Sequence, residues 1–594
     1  MMLPFVSERA LGWQDLLPTL VLDKLPLYEN IDFLSLQQRA SLAVDQFLKY
    51  PKSNLLILKA DDQAEYAPLL ESYIESKYRK NTDAIVGVKY IVEQGDSFSF
   101  PSIYVIPAES KEDNFVAKKT VATALYFDQN QLFGSIRIHP SSKELQLNPG
   151  LVHQLNQGVL ILGAGELLNQ FEIWARLKQL LKTGLFDWYS LHPLKTLPCE
   201  IPSYKLDLKI IILGTRSELA ALEELDETLY HTAHYGEIES FFNLETQENQ
   251  TLWANYIQNI ATECQCSLDL DGLNKLYQLL VRESEDRNTV SISPLRLKEI
   301  LISTALLVNK PQLTDKDFEI YLQNKLLQHG FLREQTYSDI LQEQVYVATE
   351  GEMVGQINGL SVIEYSGTPL SFGEPSRISC TVQFGEGEVI DVERKNELAG
   401  NIHSKGTMIS ETCLASILEL PAQLPFSASI VFEQSYAEID GDSASLASFC
   451  VLLSALSNLP LSQSIAITGA IDQFGLVHSV GGVNDKIEGF FTICERRGLT
   501  GKQGVIIPAT VIQQISLSEN VISAVKNKQF FIWTVEDVFQ TCEILFNRSL
   551  VEEENRDYKE DEIPLSRLIN QRIDSRTERQ QSNNFWDFLF KKRE

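Results

Sequence analysis

The chain lacks the sequence features that tie a protein to a membrane or direct it out of the cell. No apolar run approaches the roughly 18 residues that a membrane-spanning helix needs. The first residues, MMLPFVSERALGWQDLLP, contain no basic segment followed by an apolar core, so they do not predict a signal peptide. We therefore expect a cytoplasmic protein with no membrane partner.

The cysteines are too dispersed to predict a zinc site. None of the eight belongs to a C-x-x-C pair, and Cys264 and Cys266 are isolated from any other metal-ligating cluster. Cys450 precedes an apolar run, which is typical of a buried free thiol in a reducing compartment. No bound metal is expected.

Basic residues are outnumbered in this chain. The 51 Lys and Arg residues face 80 Asp and Glu residues, for a formal net charge of -29. Such a field repels phosphate backbones, so nucleic acid is not an expected partner. The hydrophobic fraction, 44%, is ordinary for a globular protein. The length allows about three or four domains.

Residues 1–244 have the pattern of an α/β domain. Apolar runs with the composition of buried parallel strands lie at residues 55–58, 158–162 and 209–213. Helical patterns separate them, for example at 171–185. From 245 to 330 apolar residues recur at spacings of three and four, which predicts a helical subdomain.

Residues 331–547 mix helical and strand-like segments and predict a compact α+β domain. Helices are predicted at 407–420, 444–456 and 486–497. Strands are predicted at 427–432, 464–470 and 504–507. Residues 548–594 are polar and charged, and we expect a mobile tail. Its last cluster, 585–590, is either a short docking helix or an amphipathic end packed on its own body.

Ser443 lies in the segment EIDGDSAS (438–445), between a strand-like run and a long apolar helix. Gly441 permits a tight turn with unusual dihedral angles. Ser443 then stands at the helix start, where its hydroxyl is exposed and free backbone N–H groups are suited to stabilising an oxyanion. A plain helix cap is the alternative, because Asp and Ser are good N-caps.

Lys486 lies in the segment VGGVNDKIEGFF (480–491), where two glycines precede a predicted helix. It falls in the first turn, at the positive end of the helix dipole, with Ile487 and Phe490 as apolar neighbours. Desolvation and the dipole both lower the pKa of a lysine, and a neutral amine can accept a proton from a serine hydroxyl. Taken alone, the segment also fits a solvated surface lysine.

Together these segments resemble the proteolytic domain of the Lon protease family, in particular its Lon-B-like branch and bacterial homologues. The stretches that carry the resemblance are FGEPSRISC (372–380), IHSKGTMI (402–409), FEQSYAEIDGDSAS (432–445), ITGAIDQFG (467–475), VGGVNDKIEGFF (480–491) and GLTGKQGVIIP (498–508). The resemblance implies an AAA+-like α/β module with a helical subdomain, followed by a Lon-type α+β proteolytic domain.

The resemblance also implies a serine endopeptidase. Ser443 attacks the peptide carbonyl and Lys486 accepts its proton. Thr468 matches a family threonine that helps to hold the lysine by hydrogen bonding. Backbone N–H groups around Asp442 and Ser443 are candidates for the oxyanion hole.

Other polar residues of this domain leave alternatives open. Glu438 and Asp440 either shape the site or occlude it. His403 and His478 make a Ser–His–Asp triad formally possible, although neither belongs to the motif that carries the resemblance.

Lon proteins join the peptidase to an ATPase module, and residues 1–330 match that module in size and order. Its nucleotide motifs are missing, because no G-x-x-x-x-G-K-[ST] loop occurs. Lys59 and Ala64 stand where glycines are expected, and Glu65 stands where the phosphate-binding lysine belongs. Its carboxylate would repel a triphosphate. The second strand lacks its two terminal acids, and Glu166 is offset from them.

Arg296 matches roughly the position of a nucleotide-sensing arginine, but an exposed helix arginine fits the same pattern. We therefore expect peptide hydrolysis without a cofactor and weak or absent ATP hydrolysis. Unfolded or flexible proteins are the expected substrates, and the resemblance implies a hexamer. Two alternatives remain: an ATP-dependent protease with an atypical nucleotide site, and a partner-binding protein with a silent protease site.

Overall fold

The computed structural model describes residues 9–576 except 52, 79–83, 95–100, 143, 191–195, 437 and 554–557. The cluster at 585–590, a candidate docking helix, lies outside the described residues. Every helix in the described ranges is too short or too polar to cross a membrane.

The first domain is built on a parallel sheet that is buried on both faces. Its strands are β1 (Leu55–Lys59), β2 (Val121–Ala124), β3 (Gly158–Gly163), β4 (Leu208–Gly214) and β5 (His234–Glu237). They lie in the order β5-β1-β4-β3-β2, with every neighbouring pair parallel. All residues of β3 and β4 are buried, as a sheet covered by helices on both sides requires. The three predicted strands are therefore confirmed.

Helices and short ribbons surround this sheet. The longer helices are α1 (Gln38–Lys49), α2 (Gln63–Lys77), α3 (Ala164–Asn169), α4 (Phe171–Thr183) and α5 (Arg216–Leu225). The short helices are Trp13–Leu16, Phe33–Leu36, Gln129–Phe133, Leu151–Gln154 and Leu229–Thr232. The antiparallel ribbons are Gly87–Glu93, Ser102–Pro107 and Phe115–Val116; Ser135–Ile138 and Leu145–Asn148; and Leu185–Phe186 and Tyr204–Lys205.

The predicted helical region, 245–330, folds into helices that share a core with the first domain. They are α6 (Gln247–Glu263), α7 (Leu270–Ser284), α8 (Pro294–Val308) and α9 (Asp315–His329). Short strand pairs brace them: Phe241–Asn243 with Thr289–Ser291, and Ser267–Leu268 with Gln312–Leu313. Leu273, Leu276 and Leu280 of α7 are fully buried, so the apolar spacing forms the inward face of that helix.

The second large domain contains a mixed sheet. Its strands are β6 (Gln356–Glu364), β7 (Ser371–Gly387), β8 (Val389–Asp391), β9 (Leu424–Phe432), β10 (Ile465–Ile467), β11 (Gln503–Pro508) and β12 (Phe530–Val535). The order is β8-β9-β7-β6-β10-β11-β12. The pairs β6–β7 and β7–β9 are antiparallel, and the other neighbouring pairs are parallel. Burial alternates along β9, so one face of the sheet packs on the core.

Helices cover this sheet. They are α10 (Phe331–Leu341), α11 (Asn401–Ile417), α12 (Ser445–Ser457), α13 (Val483–Arg497), α14 (Glu519–Lys526) and α15 (Val538–Phe546). Shorter elements are Val392–Lys395, Ala509–Gln514, the hairpin of Ala470–Ile471 and Val477–His478, and the pair of Glu352–Val354 and Pro460–Ser462. The predicted fold class, α/β followed by α+β, is confirmed.

The two ends of the described chain both pack on the second domain. Ala10 forms an antiparallel bridge with Trp533 of β12, the last strand of the sheet, and Leu16 is buried in that domain's core. The first residues of the range 1–244 thus belong with the protease-like domain, because an edge strand offers unpaired backbone groups.

The tail is also more ordered than predicted. Residues 565–576 are helical, and Leu565, Ile569 and Ile573 are buried in the same core as α12. The expectation of a mobile tail is wrong for these residues, because their apolar side chains recur every four residues and cover one face of a helix.

Candidate protease site

Ser443 lies just before helix α12, on a turn that hydrogen bonds to its backbone stabilise. The turn begins at Gly441, whose φ is +97°, a conformation that favours glycine. The Ser443 carbonyl accepts hydrogen bonds from the Gly469 N–H, at 2.8 Å, and from Thr468 Oγ1, at 3.3 Å. Ser443 is therefore fixed through its own main chain, while its side chain remains partly exposed.

Thr468 contacts a different partner from the expected one. We predicted that it holds the lysine, but its hydroxyl donates to the Ser443 carbonyl. The threonine follows β10, is fully buried, and its N–H donates to the Ile506 carbonyl at 3.1 Å. This pairing fixes its backbone in the sheet and directs its hydroxyl to the serine turn.

Asp440 anchors the other end of the same turn. Its Oδ1 accepts hydrogen bonds from the N–H groups of Ile402 and His403, at 3.2 and 3.3 Å, at the start of helix α11. Backbone N–H groups of Gly441, His403 and Ile402 hold the pKa of Asp440 below its usual value. Asp440 therefore shapes the site by capping a helix, which explains why α11 begins six residues before the predicted start. Glu438 is exposed.

Lys486 is carried by helix α13, which lies unusually close to strand β7. A side chain on Gly373 would place its Cβ 1.9 Å from the Asp485 carbonyl oxygen, and one on Gly489 would lie 2.2 Å from the Gly373 carbonyl oxygen. Two glycines thus let the helix and the strand touch backbone to backbone. The close contact between α13 and β7 determines how deeply the Lys486 side chain is buried in the domain.

The Lys486 ammonium reaches the serine hydroxyl. Its Nζ donates to Ser443 Oγ at 3.1 Å, and the lysine is only 3% exposed. Burial lowers the pKa of Lys486 to about 8, while the carboxylates of Glu285 and Asp442 oppose this by raising it. An amine with this pKa is neutral in a useful fraction of molecules near pH 8 and can accept a hydroxyl proton.

Each histidine considered for a triad pairs with its own aspartate. His403 Nε2 lies 3.3 Å from Asp391 Oδ2 in the interior, and His478 Nε2 lies 3.1 Å from Asp472 Oδ2 at the surface. Within the described residues, the side-chain hydrogen bond of the Ser443 hydroxyl is to Lys486. The geometry therefore favours the lysine as the proton acceptor.

The predicted position of a nucleotide site carries carboxylates instead. Glu65 lies in the first turn of α2, where a phosphate would bind to a helix N-terminus. Its Oε1 accepts hydrogen bonds from Ser293 Oγ, at 2.8 Å, and from the Leu295 N–H, at 2.7 Å. Asp62 caps the same turn by accepting from the Glu65 N–H at 3.0 Å. Both acids would repel a triphosphate.

The remaining polar side chains around this turn form ion pairs and hydrogen bonds with one another. Lys59 Nζ lies 2.6 Å from Asp61 Oδ2, and Gln63 Nε2 donates to Glu218 Oε2 at 2.5 Å. A Cβ on Gly163, at the end of β3, would lie 2.9 Å from Gln63 Oε1. Side chains thus occupy the space at the carboxyl ends of β1 and β3.

Glu166 and Arg296 have protein partners as well. Glu166 accepts a hydrogen bond from Gln170, one turn further along the chain. Arg296 forms ion pairs with Glu283 and Glu299. Its side chain is 26% exposed and is neutralised by these two carboxylates, so it is not a free surface arginine.

Two residues of the helical subdomain reach the lysine helix, and sequence reasoning missed both. Arg282 donates to Glu488 at 2.7 and 2.6 Å and to Asp485 at 2.9 Å. Glu285 Oε1 accepts from the Gly482 N–H at 2.7 Å. These partners are about 200 residues apart in sequence, and no local sequence pattern predicts such contacts. No group of three or more His, Cys, Asp or Glu among the described residues could hold a metal ion.

The fold and the site together define the class of protein: an AAA-type module joined to a Lon-type proteolytic domain. The profile described as "LonB-like, AAA domain" matches residues 118–233. The profile described as "Lon protease (S16) C-terminal proteolytic domain" matches residues 427–546.

Relatives extend this match over almost the whole chain. A Haemophilus influenzae protein named "Putative Lon protease homolog" is 62% identical over 582 residues, 98% of this chain and 96% of its own length. An Escherichia coli protein of the same name is 40% identical over 549 residues, 90% of this chain and 92% of its own. The Archaeal Lon protease of Thermococcus kodakarensis is 28% identical over 209 residues, 35% of this chain and 30% of its own. The chain belongs to the Lon protease family.

Proposed function

We propose that this protein is a serine endopeptidase that uses Ser443 and Lys486 as a catalytic dyad. The observation that carries the proposal is the 3.1 Å contact between the serine Oγ and a buried lysine amine. A serine hydroxyl is a weak nucleophile until a neighbouring base removes its proton. Burial supplies that base by favouring the neutral form of the lysine.

The proposed reaction has two halves. Lys486 takes the Ser443 proton as Oγ attacks the substrate carbonyl, and it then protonates the leaving amine, which gives an acyl-serine. Water, deprotonated by the same amine, hydrolyses the ester and restores both groups. Backbone N–H groups around Asp442 and Ser443, just before α12, are the candidates for stabilising the oxyanion.

The dyad predicts a particular pH dependence. Because the base must be neutral and burial lowers the pKa of Lys486 to about 8, kcat/KM should rise through that value. An increase of about tenfold between pH 7 and pH 9 follows from the neutral fraction. Initial rates of cleavage of an unfolded, fluorescently labelled casein, at constant ionic strength across the pH series, would measure this increase. An acidic limb near pH 6.5, the ordinary value of histidine, would contradict the lysine base.

We further propose that peptide hydrolysis needs no ATP. Support comes from Glu65, Asp62 and Glu218, whose carboxylates line the position where a triphosphate would bind. Without a motor, substrates must enter unfolded or flexible, and a hexameric assembly would enclose the site, as the family implies. Six buried free cysteines support a cytoplasmic, reducing environment.

One assay tests the proposed function. Purified protein is incubated with unfolded casein and with a folded protein, with and without ATP, beside the Ser443→Ala variant. The wild type should cleave the unfolded casein but not the folded protein, and ATP should change the rate by less than about twofold. The Ser443→Ala variant should give no products. Cleavage that depends on ATP would favour the motor-driven alternative. Absence of cleavage, with stable partners retained by the full chain, would favour a binding protein.

A further inference from the structure

Glu285 occupies a position that its own helix does not favour. It ends α7 with φ 52° and ψ 33°, the left-handed conformation in which glycine and asparagine are preferred. A carboxylate there also lies at the negative end of the helix dipole. Neither feature benefits the helical subdomain, so the role of this side chain must be sought in what it contacts.

That contact is the start of the lysine helix. Glu285 Oε1 accepts the Gly482 N–H at 2.7 Å. Gly482 is the N-cap of α13, with φ +65°, and a Cβ there would lie 2.4 Å from Val362 Cγ2. The Gly482 carbonyl in turn accepts the Lys486 N–H at 3.0 Å. A single residue thus links the Glu285 carboxylate to the backbone of the proposed base.

The same carboxylate acts on the charge of that base. Two carboxylates among the described residues raise the pKa of the Lys486 amine: Glu285 from the helical subdomain and Asp442 from the serine turn. Asp485 and Glu488, on the lysine helix itself, are paired with Arg282 of α7. Glu285 therefore favours the ammonium form against the effect of burial.

We propose that Glu285 is a positioning residue of the protease site, contributed by the AAA-like module. It holds the turn from which Lys486 projects, and its negative charge favours the protonated form of the amine. The module thus completes the peptidase site through a fixed contact that requires no nucleotide. This inference rests on the proposed dyad.

Two substitutions separate position from charge. Glu285→Gln keeps an acceptor for the Gly482 N–H but removes the charge. The acidic limb of kcat/KM should then move to lower pH by roughly half a pH unit or more. Glu285→Ala removes both, so the limb should move similarly and the high-pH plateau of kcat should fall about tenfold, further than in Glu285→Gln. Asp271→Asn, which removes an exposed carboxylate at the other end of α7, should leave the profile unchanged.

A second readout is independent of catalysis. Trace labelling of the full chain with acetic anhydride across a pH series, quantified by mass spectrometry, gives the titration of the Lys486 amine. Its midpoint should fall in Glu285→Gln and stay unchanged in Asp271→Asn. An unmoved midpoint would overturn the inference even if wild type cleaves casein. A moved midpoint in a chain that cleaves nothing would uphold the electrostatic contact and reject the protease function.

Discussion

Replacing Lys486 with methionine is expected to lower kcat/KM for unfolded casein by about a thousandfold or more. General base catalysis by one positioned side chain contributes about 10²–10⁴-fold, and a lysine base must also return the proton to the leaving amine. Methionine fills a similar volume without the amine. Because Lys486 is only 3% exposed, removing its charge also relieves a desolvation cost, so the fold should tolerate the change. Initial rates and thermal unfolding of both proteins would measure the two effects.

Lys486→Arg is the matched control for this prediction. Arginine retains a positive charge in the same place but cannot lose its proton near pH 8. If the lysine served only as a fixed cation, the arginine variant would keep substantial activity. If the lysine is the base, arginine and methionine variants should be comparably inactive. Activity retained in both, with normal unfolding temperatures, would contradict the dyad.

Local patterns were sufficient to predict the elements that are buried on both faces and the two segments of the site. The runs at 158–162 and 209–213 predict strands because a parallel strand covered on both faces is nearly continuously apolar. Gly441, before Ser443, predicts a tight turn with unusual dihedral angles, and its φ is +97°. Each segment taken alone also fits a helix cap or a surface lysine, so the proposed dyad depends on the resemblance of the combined segments to the Lon proteolytic domain.

Contacts between distant segments could not be predicted in the same way. The partner of Thr468 depends on how β10 is paired, since that pairing directs the hydroxyl to the serine carbonyl. The bridge from Ala10 to Trp533 joins the two ends of the chain. Glu285 looks like an ordinary acidic residue at a helix end until α7 and α13 are brought together. Each case depends on tertiary packing, which periodicity does not encode.

In the region where a phosphate-binding motif is missing, polar groups are paired with other parts of the protein. A segment without the phosphate-binding motif still has N–H groups and polar side chains that need partners. Glu65 accepts hydrogen bonds from Ser293 and from the Leu295 N–H, which ties helix α2 to the start of helix α8 in the helical subdomain. These contacts favour one fixed arrangement of the module. A rigid module is what the contact between Glu285 and Gly482 requires.

Gly373→Ala should disrupt the site without touching any reacting group. The new Cβ would lie 1.9 Å from the Asp485 carbonyl oxygen and 2.8 Å from the Lys486 Cα, so α13 must move away from β7. Overpacking of this kind costs about 1–3 kcal/mol, and contact with backbone places the expected loss of unfolding free energy at about 3 kcal/mol. A helix displaced by an ångström would also separate Lys486 from Ser443 and lower cleavage about a hundredfold.

Gly481→Ala provides the comparison, because its Cβ would lie 3.7 Å from Glu285 Oε2, an ordinary contact distance, in the same part of the fold. Denaturant unfolding and casein cleavage of the two variants separate a local backbone clash from a general sensitivity of this region. Near-normal stability and cleavage in Gly481→Ala, with both reduced in Gly373→Ala, is the expected pair of results. Equal, mild effects in both would mean that the depth of Lys486 is not set by the contact between α13 and β7.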